Sequence, residues 1–66
     1  MEKIEAWVAR DKYGDIAMYE NKPFKDERAE QWTCGGRWAL LSDNWLPEVK
    51  WSDEEPTKVK LEIVKQ

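Results

Sequence analysis

Where the pattern of apolar and polar positions is clear, its period along this chain is two. The cleanest stretch is Thr57 to Lys65. Val59, Leu61 and Ile63 fall on one side, and Lys58, Lys60 and Glu62 on the other. That alternation predicts an antiparallel strand with one face buried and one in water. Ile4 to Arg10 is rich in residues that favour extended backbone. As a strand it points Trp7 and Ala9 one way and Ala6 and Val8 the other. Gly14, in the turn from Asp11 to Asp15, can supply the positive φ of a tight hairpin. Ile16 to Tyr19 then resumes a strand, so residues 4–19 read as a β-hairpin.

Asn21-Lys22-Pro23 breaks the pattern. Phe24 to Gln31 is charged, has no clear period and reads as a loop. Trp32-Thr33 is strand-like, Gly35-Gly36 permits another tight hairpin connection, and Arg37 to Leu41 is a further strand. Ser42 to Pro47 reads as a turn or a single short helical turn, with Pro47 as the stop. Glu48 to Trp51 alternates and suits a short strand, and Ser52 to Pro56 is an acidic turn. The expected fold is mainly β. It is a single domain over residues 1–66: a small antiparallel sheet of five or six short strands, partly open and barrel-like, with at most one short helical turn.

Composition narrows the chemistry. Sixty-six residues leave no room for a large enzyme core or a nucleotide-binding sheet. There is no His, which removes the commonest general base and the commonest metal ligand together. Cys34 is the single cysteine, so neither an internal disulfide nor a Cys/His zinc site can form. Met1 to Glu5 has no apolar stretch of signal-peptide length, and no apolar run nears the roughly 20 residues of a membrane helix. The expected location is the cytoplasm, with no membrane partner. A net charge of −3 with scattered Lys and Arg disfavours nucleic acid as a partner.

Five Trp in so short a chain are the compositional oddity: Trp7, Trp32, Trp38, Trp45 and Trp51. Two or three can form the core of a domain this small, and one or two can lie on a binding surface. Asp53, Glu54 and Glu55 are adjacent carboxylates in a turn. They share one solvated environment and so lack the split pKa values of an acid–base pair. Cys34 has no neighbouring His to activate it as a nucleophile. Gly35-Gly36 is too short a pattern to cradle phosphate. The sequence therefore points to a non-enzyme without cofactor or metal. Its candidate binding residues are Trp45, Trp51, Asp53, Glu54 and Glu55, an aromatic surface beside acidic groups, as at protein–protein hot spots. Two other readings stay open. One is carbohydrate or single-stranded nucleic-acid binding by paired, exposed Trp. The other is self-association as a homodimer through an edge strand such as residues 57–65.

Several motifs bear together on origin. They are Ala9-Arg10-Asp11-Lys12, Gly14, Glu20-Asn21-Lys22-Pro23, an aromatic at 32, Leu46-Pro47-Glu48-Val49-x-Trp51, and Asp53-Glu54-Glu55-Pro56-Thr57-x-Val59-x-Leu61. This set resembles a group of very short proteins encoded by phages, prophages and mobile elements of Bacteroides-like gut bacteria. Phe24 to Arg37 matches least, and Cys34 is not a feature of the group. The resemblance implies a bacterial cytoplasm and a phage or mobile-element role; the partner expected for a binding protein of that kind is a host or phage protein. It carries over no functional residue.

Overall fold

A computed structural model describes residues 2–63, and the side chains of residues 5–60. Its first element pair is organised by the turn after Arg10. Asp11 Oδ1 accepts hydrogen bonds from the backbone N–H of Tyr13 (2.9 Å) and of Asp15 (3.1 Å). Gly14 takes φ +94°, a conformation that costs other residues steric strain. The chain thereby reverses from β1 (Glu2–Arg10) into β2 (Ile16–Tyr19), with Val8 opposite Met18 and Ala9 opposite Ala17.

Short strands complete the molecule: β3 (Phe24–Asp26), β4 (Gln31–Thr33), β5 (Trp38–Leu40) and β6 (Thr57–Ile63). Four form an antiparallel sheet in the order β5-β2-β1-β6, and β3 and β4 form a separate hairpin. The described residues contain no helix, and their sheet is open rather than closed into a barrel. The alternating C-terminal segment is indeed a strand. It pairs along the length of β1, from Glu2 opposite Ile63 to Val8 opposite Thr57. Within it Val59 turns toward the core while Lys58 and Lys60 are exposed. The side chains of Leu61 and Ile63, and residues 64 and 65, lie outside the described part.

Both faces of the sheet are covered. One face presents Ala9, Ala17 and Tyr19, and the β3–β4 hairpin lays Trp32 across them. Trp32 is only 6% exposed, and its indole N–H donates to the Arg10 carbonyl (3.0 Å). The other face presents Val8 and Ile16, which the segment after β5 covers with Val49 and, half-buried, Leu46. A strand covered on both sides must be apolar at successive positions, and Val8-Ala9 and Ile16-Ala17 are such pairs.

Three expectations need correction. Phe24 to Asp26 is a strand rather than loop. It is only three residues long, too short for a period to show, and it is held by pairing with β4. Glu48 to Trp51 is not a strand. The chain there runs through successive turns closed by Trp45 N–H to Ser42 O (2.9 Å), Val49 N–H to Leu46 O (2.9 Å) and Asp53 N–H to Lys50 O (3.1 Å). Pro47 sits at the second position of the middle turn, where its fixed φ favours that geometry. Finally, Gly35-Gly36 does not make a hairpin, since it links β4 to β5 and these belong to different sheets.

Gly14→Ala, with open space around its Cβ but a positive φ, should lower stability by about 1 kcal/mol. Urea unfolding followed by Trp fluorescence measures this, and an unchanged midpoint contradicts it.

Candidate functional site

Arg10 is the last residue of β1, and its half-buried guanidinium gathers main-chain oxygens. Nε donates to Val49 O (2.8 Å), and Nη1 to Gly14 O (2.6 Å) and Asp43 O (3.0 Å). Nη2 donates to Trp45 O (2.8 Å), with a longer contact to Leu46 O (3.4 Å). Four of these carbonyls belong to residues 43–49. The planar fork of donors suits such an array, and the charge strengthens each bond. None of the ion pairs among the described residues involves Arg10. Leu46 is held at φ +49°, a conformation that costs a branched residue on the order of 1 kcal/mol. Its side chain packs into the cluster of Val8, Ile16 and Val49.

That clamp fixes the wall of an apolar groove of 470 Å3. The groove is lined by Val8, Met18, Leu41, Trp45, Leu46 and Val59. Trp45 is 56% exposed at its side. Of the five candidate residues, Trp45 is the one that lines this groove.

The other four are employed differently. Trp51 is half-buried and packs against the cluster of Ala9, Ala17, Tyr19 and Trp32, on the opposite face of the sheet. The Lys25 ammonium lies 4.2 Å from the Trp51 ring centroid and 5.5 Å from that of Trp32, and it also donates to Trp51 O. Asp53 closes its own turn, its Oδ2 accepting from Lys50 N–H (3.0 Å). Glu55 forms an exposed ion pair with Lys22 (3.4 Å). Glu54 is exposed. Trp45, Trp51 and the acidic turn therefore do not form one continuous patch.

A second concavity of 320 Å3 lies on the Trp32 side of the sheet. Tyr19, Trp32, Trp38 and Leu40 give it apolar walls, and Asp11 and Asp15 line it as well. Trp38 is 59% and Leu40 65% exposed. Cys34 also lines it, its thiol donating to Gly36 O (3.6 Å). By sequence alone Asp11 and Asp15 are only turn residues, Leu40 is only strand, and Trp38 is one of five Trp open to core or surface, outside the five candidate residues.

Titration follows these contacts. Burial is the main cause that raises the Tyr19 phenol above its ordinary value, with Cys34 and Asp11 adding to it. A hydrogen bond from Lys12 holds the Glu30 carboxyl low, and the same pair raises Lys12. Lys58 lowers Glu5 in the same way, through an exposed ion pair of 3.0 Å. Among the described residues no group of three or more Cys, Asp or Glu could hold a metal ion.

Comparison of the chain with protein-family models, with curated proteins and with solved structures gives no match.

Two outcomes are expected from this geometry. Arg10→Lys keeps the charge but loses the fork, and should cost about 2 kcal/mol by urea unfolding, with the Trp45 environment changed in 5-fluorotryptophan NMR. A raised Tyr19 favours the neutral phenol in the fold. Its contribution is complete below the unfolded value near pH ~10 and is lost as pH climbs through the folded one. The Lys12–Glu30 pair weakens over the same alkaline range, so wild type should hold its stability up to about pH 10 and lose it as pH rises further. Tyr19→Phe should lose measurably less in the same urea titrations.

Proposed function

We propose that this protein is a non-enzymatic, cytoplasmic protein–protein interaction module of phage or mobile-element origin, with the groove beside Trp45 as its contact surface. The observation that carries this reading is an exposed indole beside a groove of apolar side chains whose wall is held in advance by Arg10. Large aromatic anchors next to desolvated pockets dominate binding energy at protein interfaces. Preorganisation reduces the ordering cost of association. Among the described residues the groove's lining holds no charged side chain to orient a small ligand. The occupant we propose is an amphipathic segment of a host or phage protein that places apolar side chains against Val8, Met18 and Val59. The sequence resemblance supports the origin and the cytoplasmic setting.

Carbohydrate or single-stranded nucleic-acid binding calls for two exposed Trp side by side. The two most exposed, Trp38 and Trp45, line separate concavities on opposite faces of the sheet. Self-association finds support in β6, which forms one edge of the sheet.

A photo-crosslinking residue at position 45 tests the proposal in a Bacteroides-like host lysate, with one at exposed Glu20 as control. The expected result is one protein joined from position 45 and not from position 20. With that protein purified, Trp45→Ala should weaken binding about tenfold or more, as for a hot-spot residue. Equal binding by wild type and Trp45→Ala overturns the groove as the contact surface. Cross-linking of the chain only to itself favours the self-associating reading instead.

A further inference from the structure

The β5 edge and the concavity beside it carry an inference independent of the Trp45 groove. Strand β5 ends the sheet opposite to β6. Glu20 N–H donates to Arg37 O (2.9 Å), and Leu41 N–H to Ile16 O (2.9 Å). The hydrogen-bonding groups of positions 37 and 41 therefore face β2. In an antiparallel ladder the direction alternates, so the N–H and C=O of Trp38 and Leu40 face outward. Among the described residues they have no partner outside the sheet. An unpaired edge of this kind is a template for another strand.

The side chains at that edge belong to the second concavity. The register puts Trp38 opposite Tyr19 and Leu40 opposite Ala17, and all four line it. Asp15 also lines it, and its exposed carboxylate makes no hydrogen bond or ion pair among the described residues. Asp11 offers a second carboxylate, whose Oδ1 accepts from two backbone N–H groups. Aromatic walls with carboxylates at hand suit an ammonium or guanidinium group.

We propose that β5 is a strand-addition site for an extended basic peptide, one Lys or Arg of which enters the Tyr19–Trp38–Leu40 concavity toward Asp15. A strand added to β5 lies two strand spacings, about 10 Å, from β2. A long cationic side chain and the Asp15 side chain together can bridge that separation. Alternate residues of the guest point to the same face, so main-chain pairing supplies affinity and the cation supplies selectivity. A second copy of this chain fits less well. On the concavity side its own β5 would offer Gly36, Trp38, Leu40 and Ser42, none of which carries positive charge.

The test uses the full chain and a fluorescein-labelled peptide of alternating Thr and Arg, with a Thr–Glu peptide as control. Fluorescence anisotropy should show binding of the Arg peptide only. Asp15→Asn should weaken it about tenfold, as expected for loss of one charge partner. Hydrogen exchange should slow at the amides of Trp38 and Leu40. Trp45→Ala should bind the Arg peptide as wild type does, which separates this site from the groove. Failure of the Arg peptide to bind at about 1 mM overturns the proposal. So does unchanged affinity in Asp15→Asn, equal binding of the Glu peptide, or protection appearing on β6 instead. A dimer of the free protein in sedimentation equilibrium that Trp38→Ala dissociates also overturns it, because the edge then belongs to a second copy.

Discussion

Arg10 joins three parts of the molecule that would otherwise be separate. Its carbonyl receives the indole of Trp32, which anchors the β3–β4 hairpin on one face of the sheet. Its guanidinium holds the carbonyls of Asp43, Trp45, Leu46 and Val49, which anchors the long segment after β5 on the other. Its contact with Gly14 O ties both to the hairpin turn. A half-buried guanidinium needs compensation for its donors and its charge wherever it sits. Here converging peptide dipoles supply it in place of a carboxylate. The arrangement is directional. Each carbonyl must point inward, and the turns of residues 42–53 satisfy that demand, including the left-handed Leu46.

A single four-stranded sheet cannot bury enough area by itself, and the covering segments make up the deficit. Neither cover contains a long regular element. The hairpin contributes Trp32, and Lys25 on β3 bridges to Trp51 by lying over its ring. The same ammonium donates to Trp51 O, so the two covering segments meet beside the Trp32 cluster. Two indoles, Trp38 and Trp45, are left largely in solvent at concavities on opposite faces. Exposed aromatics at concave sites are where a binding protein of this size can concentrate its affinity.

The strands with at least four residues were legible, because alternation and a Gly turn need only local sequence. The β1–β2 hairpin and the C-terminal strand are the examples. The three-residue β4 and β5 were legible too, from Trp32-Thr33 and from Arg37 to Leu41, but the equally short β3 was not, since two of its residues are charged and its pairing with β4 defines it. Glu48 to Trp51 misled because four residues can alternate by chance, while the carbonyl directions that fix them depend on a guanidinium some forty positions earlier. Main-chain acceptors leave no mark on sequence, and for that reason Arg10 looked like one scattered charge among others. Trp45, placed in a turn by its sequence context, is exposed and lines the apolar groove. Trp51 looked similar but is drawn inward by Lys25 and the Trp32 cluster, a contact between distant segments.

The long ladder between β1 and β6 has a consequence for the order of assembly. Residues 2–8 pair with residues 57–63, so β1 waits for β6, which is made some fifty residues later. During synthesis the β1–β2 hairpin can form early, but the outer edge of β1 stays unpaired until β6 has left the ribosome. Closing so large a loop is slow relative to local pairing. A nascent chain halted before position 57 therefore displays an open β1 edge, and the newborn protein is most prone to aggregate in that interval.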